Sequence, residues 1–216
     1  MPRPPTAERD KVRSETRQQL LQAAAAEFTR EGYVGANINR ISQAAGYAKG
    51  TVYNYFPSKR ALMLALIDEI GSAHTAFIVQ QVEAETDPVR RLERFFSAGF
   101  AFVEEHPTQA PVIISTLYGP DAEFRERVFE AYDGLFGLII QGILGPGAAQ
   151  GVFRTVDPDL AAALLMSVYL GSCSLLESDG KIWITPAQAL DFVLAGLGQV
   201  HHSLAAGRES DAAQPE

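Results

Sequence analysis

Apolar side chains recur three and four residues apart along almost the whole chain, and the period-two alternation of a half-buried strand is nearly absent. That rhythm puts one stripe of each segment on a single helical face, so the expected fold is all-α. Start signals agree with it. Asp87-Pro88, Asp157-Pro158 and Thr185-Pro186 each place a capping side chain before a proline at the first helical position, where the missing N–H costs nothing. Thr185 and Gln188 also have the spacing of a capping box.

About nine helices follow from these patterns. They run from about Ser14 to Glu31, Ile38 to Ala45, Lys49 to Phe56, Lys59 to Glu83, Pro88 to Glu105, Thr108 to Tyr118, Asp121 to Leu144, Pro158 to Ser178 and Pro186 to Leu204. Gly32 stops the first, Asn37 caps the second and Gly46 ends it. Gly145, Pro146, Gly147 and Gly151 mark residues 145–156 as a loop, while residues 1–5 and 206–216 read as frayed tails. With 216 residues, one large domain or a small one joined to a larger one are both open.

Net charge is −8, which by itself speaks against a polyanionic partner. The total conceals a division. Residues 1–60 hold ten Lys/Arg against five acids, a balance of +5, and the remainder holds eight against twenty-one, or −13. A basic head on an acidic body points to polyanion binding at one end. Within that head, two short helices joined by a Gly-containing turn follow a longer one, the arrangement of a helix-turn-helix. Val52 and Phe56, four apart, anchor the last of the three, leaving Lys49, Thr51, Tyr53, Asn54 and Tyr55 outward. This outward set is rich in hydrogen-bonding groups and holds no carboxylate, as a surface facing phosphates needs.

Here the sequence resembles the TetR family of bacterial transcriptional regulators. The resemblance covers about residues 14–70 and rests on Ala24-Ala25-Ala26-Glu27-Phe28 leading to Gly32-Tyr33, on Ile38 through Gly46, on Lys49-Gly50-Thr51-Val52-Tyr53-Asn54-Tyr55-Phe56, and on Ser58-Lys59 followed by Leu62. It implies a division into a helix-turn-helix domain, residues 1–60, and a helical ligand-binding and dimerisation domain, residues 61–216. It implies phosphate contacts from Tyr53, Tyr55 and Lys59, a phosphate or base contact from Thr51, and base-edge positions for Lys49, Gly50 and Asn54. Asn39 and Arg40 are further candidates, although Arg40 is equally suited to pairing with a carboxylate. Asn37 replaces the family's usual Thr and keeps a capping oxygen, whereas Ala48 replaces a Ser, so the third helix must find its cap elsewhere.

The body carries many aromatic residues on its middle helices, and these fill a core, line a cavity, or both. A small-molecule pocket is implied by the resemblance, and the lack of charge on those stripes suggests a mostly apolar ligand. Its candidate lining residues are Phe96, Phe100, Val103, Tyr118, Phe129, Tyr132, Phe136, Met166 and Tyr169. Leu164, Leu165, Val168, Gly171, Ser172 and Leu175, with Phe192, Leu194, Ala195 and Leu197, make the last two helices the expected homodimer surface.

Other chemistries lack support in the sequence. The four histidines, His74, His106, His201 and His202, have no metal-ligand spacing, and no nucleophile elbow, P-loop or dinucleotide fingerprint occurs, so neither an enzyme nor a cofactor is expected. Cys173 is the single cysteine and suits a reducing compartment. Nothing approaches about 18 consecutive apolar residues and no signal-peptide pattern is seen, which gives a cytoplasmic expectation without a membrane partner. The expected function is a ligand-responsive transcriptional regulator, a repressor released from a pseudo-palindromic DNA operator by a mostly apolar small molecule. The alternatives are an activator, or a ligand-binding dimer without a DNA role.

Overall fold

A computed structural model of the protein describes residues 6–198. Its elements are α1 (Thr6–Gly35), α2 (Ile38–Ala44), a 3₁₀ turn (Thr51–Asn54), α3 (Lys59–Glu83), α4 (Pro88–Glu105), α5 (Ala110–Leu117), α6 (Ala122–Ala131), α7 (Asp133–Gly137), a π-helical segment (Leu138–Leu144), α8 (Gly145–Ala149), α9 (Pro158–Cys173) and α10 (Pro186–Leu197). Among the described residues the only strand-type pairing is an isolated antiparallel bridge between Leu176 and Ile182. The all-α expectation therefore holds. Expected starts at Asp87, Asp157 and Thr185 are formed as read: Asp87 accepts from the Arg90 amide at 2.9 Å, Asp157 from Leu160 at 2.9 Å, and Thr185 forms the reciprocal box with Gln188.

α3 is the axis of the molecule. Its length and composition alone would let it cross a membrane. Its apolarity instead reflects burial within the protein: Leu62, Leu66, Ile67, Ile70, Ile78 and Val82 are covered by α1, α4, α6 and α7. α1, α2 and the 3₁₀ turn form a small head on its N-terminal part, and the remaining helices surround its C-terminal part.

Several boundaries differ from the sequence reading. α1 begins at Thr6 rather than near Ser14, and after a break at Gly32 (φ 67°, ψ 171°) helical residues resume to Gly35. The long helix expected over 121–144 is interrupted at Tyr132 (φ −106°, ψ 6°), whose buried ring is drawn inward to hydrogen-bond across the core. Part of the expected 145–156 loop is helical, because Gly147 lets the buried Phe153 ring lie directly on the backbone. α9 stops at Cys173 rather than Ser178. There the Ser174 hydroxyl and amide fold back on Gly171 and the chain reverses through the Leu176–Ile182 bridge. The expected end of the last helix at Leu204, the His201-His202 pair, and the tails at 1–5 and 206–216 lie outside the described residues.

Candidate nucleic-acid interface and cavity

Side chains bonding to backbone give the head its shape. Asn37 caps α2, its Oδ1 accepting from the Asn39 amide at 2.9 Å and the Arg40 amide at 3.4 Å. Glu27 is buried on α1; its Oε1 accepts the Asn37 N–H at 3.0 Å and its carboxylate pairs with Arg30 and Arg40. Arg40 also donates to Glu31 at 2.7 Å, and its hydrogen bond, with a lesser one from Arg30, holds the Glu31 carboxyl below the usual range. Both acids therefore offset the Arg40 charge locally. Of its two sequence readings, ion pairing is the arrangement present, with Asn39 exposed beside it.

The third helix is shorter than Lys49–Phe56. Ala48 supplies no side-chain cap and Gly50 lies at φ 82°, a left-handed conformation that a β-carbon disfavours, so only a 3₁₀ turn forms. The missing cap comes from across the fold: the fully buried Ser42 of α2 accepts the Val52 N–H at 3.2 Å. Val52 and Phe56 are buried, as their spacing requires. Lys49, Tyr53 and Asn54 are exposed, Tyr53 at 53%, while Gly50 and Thr51 are half-buried. Tyr55 is half-buried against the core, so its ring is a packing group with an accessible edge.

Lys59, for which the resemblance implies a phosphate contact, is also engaged within the head. Its Nζ donates to the Val34 carbonyl at 2.9 Å and the Ala36 carbonyl at 3.2 Å and lies 5.0 Å above the Tyr33 ring. A cation on the last carbonyls of α1 is favoured by the helix dipole, and this clamp fixes α3 to the end of α1. Sequence reasoning also passed over Glu27 and Ser42. The signal for Glu27 was there: a carboxylate between Ala24 and Phe28 on an apolar stripe needs partners.

Head and body are joined by polar struts. Thr29 on α1 donates to the Thr108 carbonyl, just before α5, at 2.7 Å. Arg60 forms bonds to Asp121 at 3.0 Å, pairs with Glu123 and stacks 4.7 Å over Phe124. Arg17 reaches Glu69 at 3.2 Å.

In the body, α3, α4, α5, α6 and α9 line an apolar cavity of about 60 Å³, smaller than a typical small-molecule pocket. Six of the nine expected residues line it: Val103, Phe129, Tyr132, Phe136, Met166 and Tyr169. Three do not. Phe96 and Phe100 are fully packed behind Tyr169, with ring centroids 6.4 and 5.7 Å from it, and Tyr118 is 74% exposed at the end of α5. Their stripes are apolar, but only the crossing of helices decides which side of a stripe meets the space. Ile70, His74, Ile113, Leu117 and Cys173 also line the cavity without having been singled out for it, as does Phe102, one of the middle-helix aromatics. For His74 the signal was an imidazole inside an apolar run of α3.

His74 is the electrostatic centre of the wall. Its Nδ1 is 3.2 Å from the Tyr132 hydroxyl, its Nε2 is 2.9 Å from the Tyr169 hydroxyl, and its ring stacks on Phe102 at 4.5 Å. Burial, and next the neighbouring His106, push its pKa down to about 4, so the imidazole is neutral at physiological pH. Burial raises the Cys173 thiol to about 12 and the Tyr132 and Tyr169 hydroxyls well up, keeping all of them protonated. Gly99 permits this arrangement: a β-carbon there would sit 2.6 Å from the Tyr169 ring and hydroxyl.

On α9 and α10 the expected pairing surface divides. Leu164, Gly171, Leu175, Phe192 and Ala195 are exposed, with Val168 and Leu194 half-buried, whereas Leu165, Ser172 and Leu197 turn into the core of their own chain. Leu160 and Trp183 extend the exposed apolar face.

A model of the family described as bacterial regulatory proteins, tetR family, matches residues 20–66, the head and the start of α3. The chain is 36% identical over 169 residues to the HTH-type transcriptional repressor DhaR of Mycobacterium sp. (strain GP1), covering 74% of this chain and 82% of that protein. It is 30% identical to the HTH-type transcriptional activator FasR of Mycolicibacterium smegmatis, over 83% and 77% of the two chains. The structure of the transcriptional regulator FadR from Bacillus subtilis, in complex with stearoyl-CoA, shares the fold at a TM-score of 0.72 and 21% identity, covering 83% of this chain and 96% of that one.

Proposed function

The chain belongs to the TetR family of bacterial transcriptional regulators, and from that premise we propose how its parts divide the work. Residues 1–60 are the DNA-binding head, and residues 61–216 bind a ligand and pair with a second copy. Lys49, Gly50 and Asn54 face base edges, while Thr51, Tyr53 and the accessible edge of Tyr55 face phosphates. Asn39 flanks them. Arg40 and Lys59 act through positioning, since their charges are engaged within the head. Two heads in a homodimer formed by the exposed faces of α9 and α10 meet successive half-sites about 34–36 Å apart on the duplex. A DNA partner places the protein in the cytoplasm, and its role is regulatory rather than catalytic.

The ligand is a mostly apolar small molecule. The apolar lining supports this, and FadR, crystallised with stearoyl-CoA, makes an acyl group the first candidate. One observation carries the coupling: α3 bears the Lys59 clamp at its head end and Ile70 and His74 in the cavity wall. α5 gives a second route, because it lines the cavity and the carbonyl before it receives Thr29 from α1. A ligand that fits better when the heads are mis-spaced lowers DNA affinity, and DNA lowers ligand affinity by the same factor.

Mobility shift on DNA upstream of its own coding region, at several salt concentrations, tests the reading. Log affinity should fall linearly with log salt, and a flat dependence contradicts phosphate contacts. The likeness to the activator FasR supports a second outcome, activation; transcription from a fused reporter, with and without the protein, separates it from repression.

A further inference from the structure

Among the described residues the cavity lining holds four side chains capable of hydrogen bonding, Tyr132, His74, Tyr169 and Cys173, and the first three form one chain of bonds. Every other described lining residue is apolar, and none carries a charge. Each buried polar group costs desolvation unless it is satisfied, and Tyr132, at one end of this chain, also lines the cavity.

The chain has two complete proton arrangements. In one, Tyr132 donates to Nδ1 and Nε2–H donates to the Tyr169 oxygen. The Tyr132 oxygen then presents acceptor lone pairs. In the other, Tyr169 donates to Nε2 and Nδ1–H donates to the Tyr132 oxygen. The Tyr132 O–H is thereby released and becomes a donor.

We propose that this chain reads the ligand: the molecule taken up by the cavity carries one uncharged oxygen, a carbonyl or a hydroxyl, which hydrogen-bonds the Tyr132 hydroxyl. A free carboxylate is rejected. His74 is neutral at physiological pH, and no Lys or Arg lies among the described lining residues, so a carboxylate would be buried without a counter-charge. Tyr132 is the reading residue, and His74 and Tyr169 position it. An acyl group in ester or thioester form fits this chemistry, and the free acid does not. The inference rests on the ligand-responsive reading above and deepens it.

The test titrates the full-length protein at pH 7.5 with 2-nonanone, 2-nonanol and nonanoate by calorimetry, and records the infrared carbonyl stretch of bound 2-nonanone. Ketone and alcohol are expected to bind, the ketone with its carbonyl stretch lowered from the value in alkane solvent, and nonanoate more than about a hundredfold more weakly. Tyr132→Phe should weaken ketone binding about three- to tenfold and return the stretch to its alkane value. Nonanoate binding as well as the ketone, binding of none of the three, or an unshifted carbonyl in the wild-type protein overturns the proposal; this last measurement stands even if the variant does not fold. DNA release is scored separately. Ketone bound with the carbonyl shifted but with no effect on the DNA complex leaves this site standing and removes the regulatory reading.

Discussion

The head and the cavity wall solve opposite problems. On the head, residues 49–55 must stay outward, so beside its small core of Leu20, Phe28, Ile41, Val52 and Phe56 it relies on side chains that bond to backbone: Asn37, Ser42, Glu27 and Lys59. The body buries rings in quantity. Phe95, Phe96, Phe100 and Tyr169 form one cluster with centroids 5.2–6.4 Å apart, and the polar relay is set on its edge. A short interface element is thus shaped by directed bonds, while a cavity wall is kept from collapsing by rings that support one another.

If this contrast is right, Phe96→Ala is the most costly single change. It removes a fully buried ring from the cluster and should lower unfolding free energy by about 3–5 kcal/mol, read by urea denaturation, while the folded variant keeps its affinity for DNA. Loss of DNA binding by a folded Phe96→Ala protein would break the separation.

The next effect is a pH dependence confined to the body. His74 is held neutral to about pH 4 in the fold, whereas in the unfolded chain it takes up a proton near its ordinary value of 6.5. The unfolded state therefore binds more protons between these values, and stability falls as pH drops through that window, by at most about 3 kcal/mol. Denaturation at pH 7 and pH 5 should show much of this loss in the wild type and less of it in His74→Leu. An equal slope in both would place the origin elsewhere.

In the head, Ser42→Ala leaves the buried Val52 N–H without its acceptor and should cost about 1–3 kcal/mol. DNA affinity should fall with it, because the turn bearing Tyr53 and Asn54 loses its anchor. A mobility shift with unchanged affinity would show that packing of Val52 and Phe56 suffices. Smallest is Asn37→Ala, which removes the α2 cap for about 1 kcal/mol. Thermal unfolding would detect it, and Asn37→Thr should restore most of the loss.

Much of this was legible in the residues. Capping side chains before Pro88, Pro158 and Pro186 mark starts because cap and helix lie in the same few residues, and the three-and-four rhythm is enough for an all-α fold. The head was legible in more detail than the body, since Lys49 to Phe56 is one contiguous signal. Among the rings, sequence placed Tyr132 and Tyr169 on the cavity but also Phe96, Phe100 and Tyr118, because apolar periodicity gives a face and not what the face meets.

By itself, then, the sequence determined what depends on neighbours up to four residues away: helices, their starts, the charge division between head and body, and the stretch that presents polar groups outward. The tertiary structure alone decided that Lys59 clasps carbonyls 23 and 25 residues back, and that Tyr132 breaks its helix to meet an imidazole 58 residues earlier. It likewise brought Tyr169 to the same ring across 95 residues. The reason is physical: helical hydrogen bonding constrains positions within a turn, whereas partners this far apart meet only where packed helices cross, and the crossing is set by the shapes of all the buried side chains together.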